Sequence, residues 1–205
     1  VAISGDRAIV GALQEDDASG SESGKAYIFD VTTGNLLFTL NNPNAFGTSA
    51  NDLFGSSVAI SGNRAIVGAP QEDDDSGPGT DSGRAYIFDV TDGSLLFTLN
   101  NPSGFGGGGG DNFGETVAIS GDRAIVGARL EDDEGGTSSG KAYIFDVTDG
   151  SLLQTLDNPN AYDTSANDWF AGSVAVSGNQ AIVGARLEDE AGGPSSGKAY
   201  IFTIP

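Results

Sequence analysis

The sequence predicts an all-β fold, a β-propeller built from four-stranded antiparallel blades. Three observations support this prediction. One motif recurs four times in the 205 residues, each copy holds short segments rich in β-branched and aromatic residues, and the chain has 32 glycines. Self-similarity at a fixed period is the signature of repeat architectures, and abundant glycine without a collagen period is typical of tight turns between short strands.

The repeat opens with Val-Ala-Ile-Ser-Gly or a close variant, and successive copies are offset by 57, 59 and 57 residues. Each copy continues through Ala-Ile-Val-Gly-Ala, an acidic glycine-rich stretch and Ala-Tyr-Ile-Phe. We treat the chain as a single domain with four approximate repeats, the last of them incomplete. These repeats are residues 1–53, 54–112, 113–169 and 170–205.

Four strands, A to D, are predicted in each complete copy because strand-forming residues cluster between turn residues. In the second copy they are residues 58–61, 64–69, 84–90 and 94–99. The pairs Gly62-Asn63 and Asp92-Gly93 suit tight hairpin turns between A and B and between C and D. No segment has sustained helical periodicity, so we expect almost no helix.

Because antiparallel strands alternate direction, the A–B and C–D turns share one end of each blade, and the long B–C and D–A loops share the other. The pattern gives fifteen strands, since the fourth copy has no strand D. A closed four-bladed ring is slightly favoured, with part of a larger propeller, or an assembly that completes its blades between chains, as the alternatives.

Composition restricts the function. With 29 acidic and 9 basic residues the formal net charge is -20, which repels nucleic acid and anionic membranes and attracts cations or basic partners. No apolar run approaches the roughly 20 residues that a membrane helix needs. The chain has no His and no Cys, so it lacks a Ser-His or Cys-His nucleophile system. Acids repeated in every copy do not resemble a paired-carboxylate hydrolase, and we expect no enzymatic activity.

More than half of the acidic residues lie in the four B–C loops. One interpretation is that each loop binds one Ca²⁺, because a hard dication with six to eight oxygen ligands relieves the repulsion between clustered carboxylates. The other is a solvated acidic loop that keeps a β protein soluble. The candidate ligands are Glu15, Asp16, Asp17, Glu72, Asp73, Asp74, Asp75, Asp81, Glu131, Asp132, Asp133, Glu188, Asp189 and Glu190.

Three further groups of residues recur. An Asn and an Asp precede strand A, where they either cap turns or add ligands on the loop-bearing face. A Lys or Arg opens each strand C, where we expect an exposed ion pair of small energetic value with the preceding loop. The Tyr and Phe of strand C, and a Phe before strand A, are expected in the core between blades. The acid–amide pairs are Asn51-Asp52, Asp111-Asn112 and Asn167-Asp168.

Phe54-Gly55 and Phe113-Gly114 before strand A, together with Gly68-Ala69-Pro70 after strand B, resemble the FG-GAP repeats of integrin α-subunit propellers and of bacterial secreted proteins. The resemblance covers the whole chain, although the third leader reads Trp169-Phe170-Ala171-Gly172. It implies calcium in an Asp-x-Asp-x-Asp-Gly loop between A and B, but here that connection has only two residues. Asp-x-x-x-Gly segments such as 89–93 also resemble quinoprotein-type propeller repeats, but a quinone site is not expected.

The resemblance and the composition together favour a non-catalytic recognition or adhesion module, extracellular or on the cell surface, that binds a protein or a glycan. The alternative is a structural protein that assembles into homo-oligomeric rings or filaments through its incomplete terminal blades.

Overall fold

The computed structural model describes residues 1–16, 20–43, 50–73, 82–102, 110–132, 136–159, 166–189, 193 and 195–205. In these residues the chain forms fifteen β-strands and no helix, as the sequence predicts. No helix that could span a membrane is therefore found in the described ranges.

The strands form four antiparallel sheets, and within each sheet the strands pair in the order in which they follow one another in the sequence. Blade 1 contains β1 (Ala2–Ser4), β2 (Arg7–Ala12), β3 (Lys25–Asp30) and β4 (Leu36–Asn41). Blade 2 contains β5 (Val58–Ser61), β6 (Arg64–Ala69), β7 (Arg84–Asp89) and β8 (Leu95–Asn100). Blade 3 contains β9 (Thr116–Ser120), β10 (Arg123–Ala128), β11 (Lys141–Asp146) and β12 (Leu152–Asp157). Blade 4 has three strands, β13 (Phe170–Ser177), β14 (Gln180–Ala185) and β15 (Lys198–Thr203).

The turns form as their residues predict. Gly62 has a φ of 55° between β5 and β6, and Gly93 has a φ of 77° between β7 and β8. Before the second turn, the pairing of β7 with β8 has a register shift between Ile87 and Phe88. Asp89 begins this turn by accepting the backbone N–H of Thr91 at 2.8 Å. The segment that resembles quinoprotein repeats therefore serves here as a turn.

The core lies between blades. Ile9, Ile28 and Leu40 of blade 1, for example, pack against aromatic side chains of blade 2. The ring centroid of Phe54 lies 5.8 Å from that of Tyr86 and 6.1 Å from that of Phe88. The corresponding rings pack in the same way in blades 3 and 4. The predicted role of these aromatic residues in the core is thus confirmed.

The four blades form an open array. Substantial contacts join each blade to the next, and within the described residues none of this kind joins blade 4 to blade 1. The blade type is therefore as predicted, but the described residues do not form the closed four-bladed ring that the sequence favoured. Closure requires contacts between the first and last blades, and the strand pattern within one blade does not encode how blades are arranged around an axis.

The leaders are the segments that enter strand A of blades 2, 3 and 4, residues 50–57, 110–115 and 166–172. Each leader crosses strand B of the preceding blade at a glycine. A Cβ atom at Gly68 would lie 1.9 Å from the carbonyl oxygen of Gly114 in the next leader. Backbone atoms that approach so closely leave no space for a side chain.

We expect Gly68→Ala to destabilise the chain by about 3 kcal/mol, at the upper end of overpacking costs, because a backbone carbonyl cannot rotate away. Gly184→Ala is the matched control at the same repeat position. There the closest atom is the rotatable Ser173 Oγ at 2.4 Å, and the next is at 3.8 Å. Thermal unfolding monitored by circular dichroism compares the two variants. Equal losses of stability in the two variants would show that the carbonyl of the crossing leader is not what excludes a side chain at Gly68.

Candidate functional site

The long loops meet on one face of the array, as strand direction predicts. The leader of blade 2 lies between two B–C loops. Its Leu53 donates a backbone hydrogen bond to the Glu22 carbonyl of blade 1 at 3.2 Å, and its Asp52 carbonyl accepts one from Gln71 of blade 2 at 3.4 Å. The equivalent bond from Leu130 to Asp111 is 3.3 Å long. We call this surface, made by the B–C loops and the leaders, the loop face.

The first acidic residue of every B–C loop is a glutamate that turns into its blade. Glu72 has 0% of its surface exposed. Its carboxylate accepts hydrogen bonds from Arg84 Nη1 at 2.9 Å and from the Tyr86 hydroxyl at 2.5 Å. The same carboxylate–cation–tyrosine contacts join Glu15, Lys25 and Tyr27, Glu131, Lys141 and Tyr143, and Glu188, Lys198 and Tyr200.

This arrangement corrects the expectation that the basic residues of strand C form only exposed pairs with the loops. The Arg84 side chain is almost completely buried with Glu72. The sequence pattern placed a cation after each acidic loop, but it did not show that the partner carboxylate lies under the loop.

The second acidic residue of the loop is always an aspartate, and it fixes the loop backbone. Asp132 Oδ1 accepts the backbone N–H of Ser138, six residues later, at 2.8 Å. In the same way, Asp16 Oδ1 accepts the backbone N–H of Glu22, and Asp189 Oδ1 accepts the backbone N–H of Ser195. Each donor has a positive φ, a conformation uncommon for residues other than glycine. The Asp side chains therefore hold the loop in a defined turn.

The leader contributes a third acid to each junction, and this aspartate is buried. The Asp52 carboxylate accepts a hydrogen bond at 2.7 Å from the amide of Asn42, the residue that follows strand D of blade 1. Asp111 and Asp168 are held in the same way by Asn101 at 2.9 Å and Asn158 at 2.8 Å. These acids are therefore buried between two blades and are more than turn caps.

The electrostatics of this third acid are unusual. Burial, and then repulsion from Glu72 and Asp73, raises the pKa of Asp52 to about 8. Burial, and then repulsion from Glu131 and Asp132, raises the pKa of Asp111 to about 7. A carboxyl group with such a pKa holds a proton near neutral pH or gains strongly from a nearby cation.

One oxygen in each of two junctions is unsatisfied. Glu131 Oε2 and Glu188 Oε2 are buried and have no hydrogen-bond partner among the residues that the structure describes. A buried acceptor without a partner is costly, and a proton or a cation would satisfy it. Within the described ranges, no three acidic side chains form a group ready to hold a metal ion.

Of the predicted ligands, the structure places Glu15, Asp16, Glu72, Asp73, Glu131, Asp132, Glu188 and Asp189, all in the first part of their loops. The predicted ligands Asp17, Asp74, Asp75, Asp81, Asp133 and Glu190 lie outside the described residues. The sequence interpretation did not include the leader aspartates among the main ligands. Their signal was present, because an Asp occurs in each leader two residues before the Phe.

One part of the loop face breaks the repeat. Trp169, the only tryptophan, lies between the guanidinium groups of Arg129 and Arg186, whose Cζ atoms are 4.6 Å and 4.2 Å from the ring centroid. Arg129 is also paired with Glu115. The other seven basic residues recur at the starts of strands B and C. The junction between blades 3 and 4 is thus chemically distinct on a surface that is otherwise repeated.

A family model described as the FG-GAP repeat matches residues 1–29, 45–88, 106–145 and 160–202. The repeated blades, the leader phenylalanines and this match together define an FG-GAP repeat protein of the β-propeller class. The chain belongs to the FG-GAP repeat family. FG-GAP repeats are typical of extracellular or surface proteins and of recognition or adhesion modules, and they are generally non-catalytic. A comparison with curated proteins gave no match.

Proposed function

We propose that this chain is a non-catalytic extracellular recognition or adhesion module that binds a protein or a glycan through its loop face. One observation carries the proposal: all described B–C loops and leaders lie on that face, held there by the same buried contacts in successive blades. A rigid scaffold that presents several loops side by side is typical of binding surfaces. With a net charge of -20, the chain favours a partner that carries positive charge.

We further propose that the loop face binds Ca²⁺. The donor set suits the ion, because carboxylate oxygens are the ligands that calcium prefers. In blade 3 the donors would come from Asp111, Glu131 and Asp132, and because these side chains do not form a ready metal group in the described residues, the ion would have to draw them together. Two features support this proposal: the buried Glu131 Oε2, which has no hydrogen-bond partner among the described residues, and the burial and then the repulsion from Glu131 and Asp132 that raise the pKa of Asp111. A bound dication would remove both costs.

Isothermal titration with CaCl₂ tests the calcium proposal. We expect about one ion per acidic loop, with Asp132→Asn lowering the number bound by one. The asparagine can still accept the Ser138 N–H, so the loop turn is retained. Asp122→Asn is the control, because Asp122 lies on the opposite face and Asn63 and Asn179 occupy its repeat position. No heat of binding, and no gain in melting temperature with Ca²⁺, would overturn the proposal.

Glycan arrays and arrays of extracellular proteins, probed with the whole chain with and without Ca²⁺, test the recognition proposal. We expect binding that weakens with salt and is reduced by Asp132→Asn but not by Asp122→Asn. Trp169→Leu, which installs the residue found at the same position in blade 2, asks whether the distinct junction contributes to recognition. Binding that Asp122→Asn abolishes and the loop variants leave unchanged would place recognition on the other face and overturn the proposal.

A second candidate function is structural self-assembly through the terminal blades. The observation that favours it is the exposure of apolar side chains on the outer faces of blades 1 and 4. The mass of the chain in solution tests this candidate.

A further inference from the structure

Arg186 is an exception among the basic residues of the chain. Eight of the nine Lys and Arg residues are paired with an acidic side chain, whereas within the described ranges the exposed Arg186 has no such partner. Its guanidinium is held instead by Trp169, with the Cζ atom 4.2 Å from the ring centroid. Because a guanidinium that stacks on a ring keeps its N–H groups in its own plane, those donors stay available to a ligand.

The residue at the leader position of Trp169 differs between the copies, although the backbone is the same. Leu53, Asn112 and Trp169 have φ angles of 57°, 59° and 53°. This left-handed conformation suits an Asn and is uncommon for a bulky side chain, so the Trp occupies the position against the local preference. Strained residues of this kind concentrate at functional sites.

The position of Arg186, directly after strand B, also differs between the copies. Its residues in chain order are Leu13, Pro70, Arg129 and Arg186. The Glu and Asp that follow two and three residues later are the same in every copy. The loop face therefore combines a constant frame with two neighbouring variable positions, an arrangement typical of binding surfaces.

The cluster suits a protein partner better than a glycan. The guanidinium groups of Arg129 and Arg186 already lie over the Trp169 ring, so little of the ring is open to the stacking of a sugar. Trp and Arg are among the residues that contribute most to binding energy in protein interfaces. The planar donors of an arginine match a carboxylate. Since the rest of the chain is strongly negative, that carboxylate must belong to a partner surface that is otherwise neutral or basic.

We propose that Arg186, oriented by Trp169, binds a carboxylate group of a protein partner on the loop face. Arg129 is already paired with Glu115 within the chain, so Arg186 supplies the charge for the partner. This inference rests on the recognition function proposed above. It identifies the partner as a protein and one contact as an arginine–carboxylate pair.

The fluorescence of Trp169, the only tryptophan, reports on this site alone. The probes are blocked, tryptophan-free peptides of lysine and glycine that carry one aspartate, or one asparagine at the same position. We expect the aspartate peptide to change the emission saturably and to bind about fivefold more tightly than the asparagine peptide, as for a partly exposed ion pair. Equal affinities of the two peptides would overturn the proposal.

Arg186→Gln is expected to abolish the preference for the aspartate peptide and to leave the salt-dependent binding of the lysines. Arg64→Gln is the matched control, because it removes the same charge at the start of strand B, at the end of the blade away from the loops. Because Arg186 is exposed, its variant should keep the wild-type melting profile, which shows that it is folded. An undiminished preference in Arg186→Gln would contradict the assignment.

The protein and glycan arrays separate this inference from the proposed function. An affinity for arrayed proteins that falls about tenfold or more in Arg186→Gln and in Trp169→Leu, but not in Arg64→Gln, would support it. Array binding that Arg186→Gln leaves unchanged would overturn the inference and leave the recognition function intact. Binding that depends on Arg186 but selects glycans with carboxylate groups would overturn the choice of a protein. Peptide discrimination without any array binding would count against the recognition function alone.

Discussion

Glu72→Gln is expected to lower the free energy of unfolding by about 3–5 kcal/mol, the cost of removing one partner from a buried ion pair. The substitution keeps the shape of the side chain but removes the carboxylate charge that faces the buried Arg84 guanidinium at 2.9 Å. In a chain of this size such a loss corresponds to a fall in melting temperature of about 6–20 °C. Thermal and urea unfolding measure the change.

Glu15→Gln is the matched control at the same repeat position of blade 1. The side chain of this glutamate is 39% exposed, so water screens its pair with Lys25. We therefore expect only a small change in melting temperature. Similar losses in both variants would show that burial by the neighbouring leader does not set the strength of the contact.

Raising the pH is expected to destabilise the chain through the leader aspartates. The pKa of Asp52 is about 8 in the folded chain, well above its ordinary value, so the folded state holds this proton more tightly than the unfolded state does. The resulting stabilisation is complete below the ordinary pKa of an aspartate and is lost as the pH rises through about 8. We expect a loss of about 2–4 kcal/mol from this junction between about pH 5 and about pH 9.

Asp52→Asn should flatten this part of the profile, because an asparagine is neutral at every pH and its carbonyl oxygen can still accept the Asn42 hydrogen bond. The variant is expected to match the wild type below about pH 4, the ordinary pKa of an aspartate, and to exceed its stability at pH 9. Asp122→Asn, which also removes one negative charge, controls for the general effect of net charge. Parallel profiles for wild type and Asp52→Asn would contradict the assignment of the proton to Asp52.

The strands and turns could be predicted from the sequence because their determinants are local. Residues 58–61 and 64–69 were predicted with the bounds that the structure has, since β-branched residues end at Gly62-Asn63 and at Gly68-Ala69. The common face of the long loops followed from strand direction alone. Because these side-chain patterns are repeated four times, the strand and turn assignments in one copy support the same assignments in the other copies.

The inward position of Glu72 could not be predicted from charge pattern alone, because an acidic run on a loop ordinarily faces water. Its direction is decided by Tyr86 and Arg84, which come from a different strand. A usable signal was nevertheless present. The first two acids of every loop are Glu then Asp in all four copies, whereas the rest of the loop varies in length and composition. Positions that do not vary between copies carry structural contacts.

The identity of successive junctions bears on how such a chain can change during evolution. Each leader binds the blade behind it and each core forms between neighbours, so every interior blade needs only the blade before it and the blade after it. Duplication or loss of one whole unit would recreate existing contacts and require no new ones. Blade number is therefore the property of this architecture that gene duplication can alter at the smallest cost in stability.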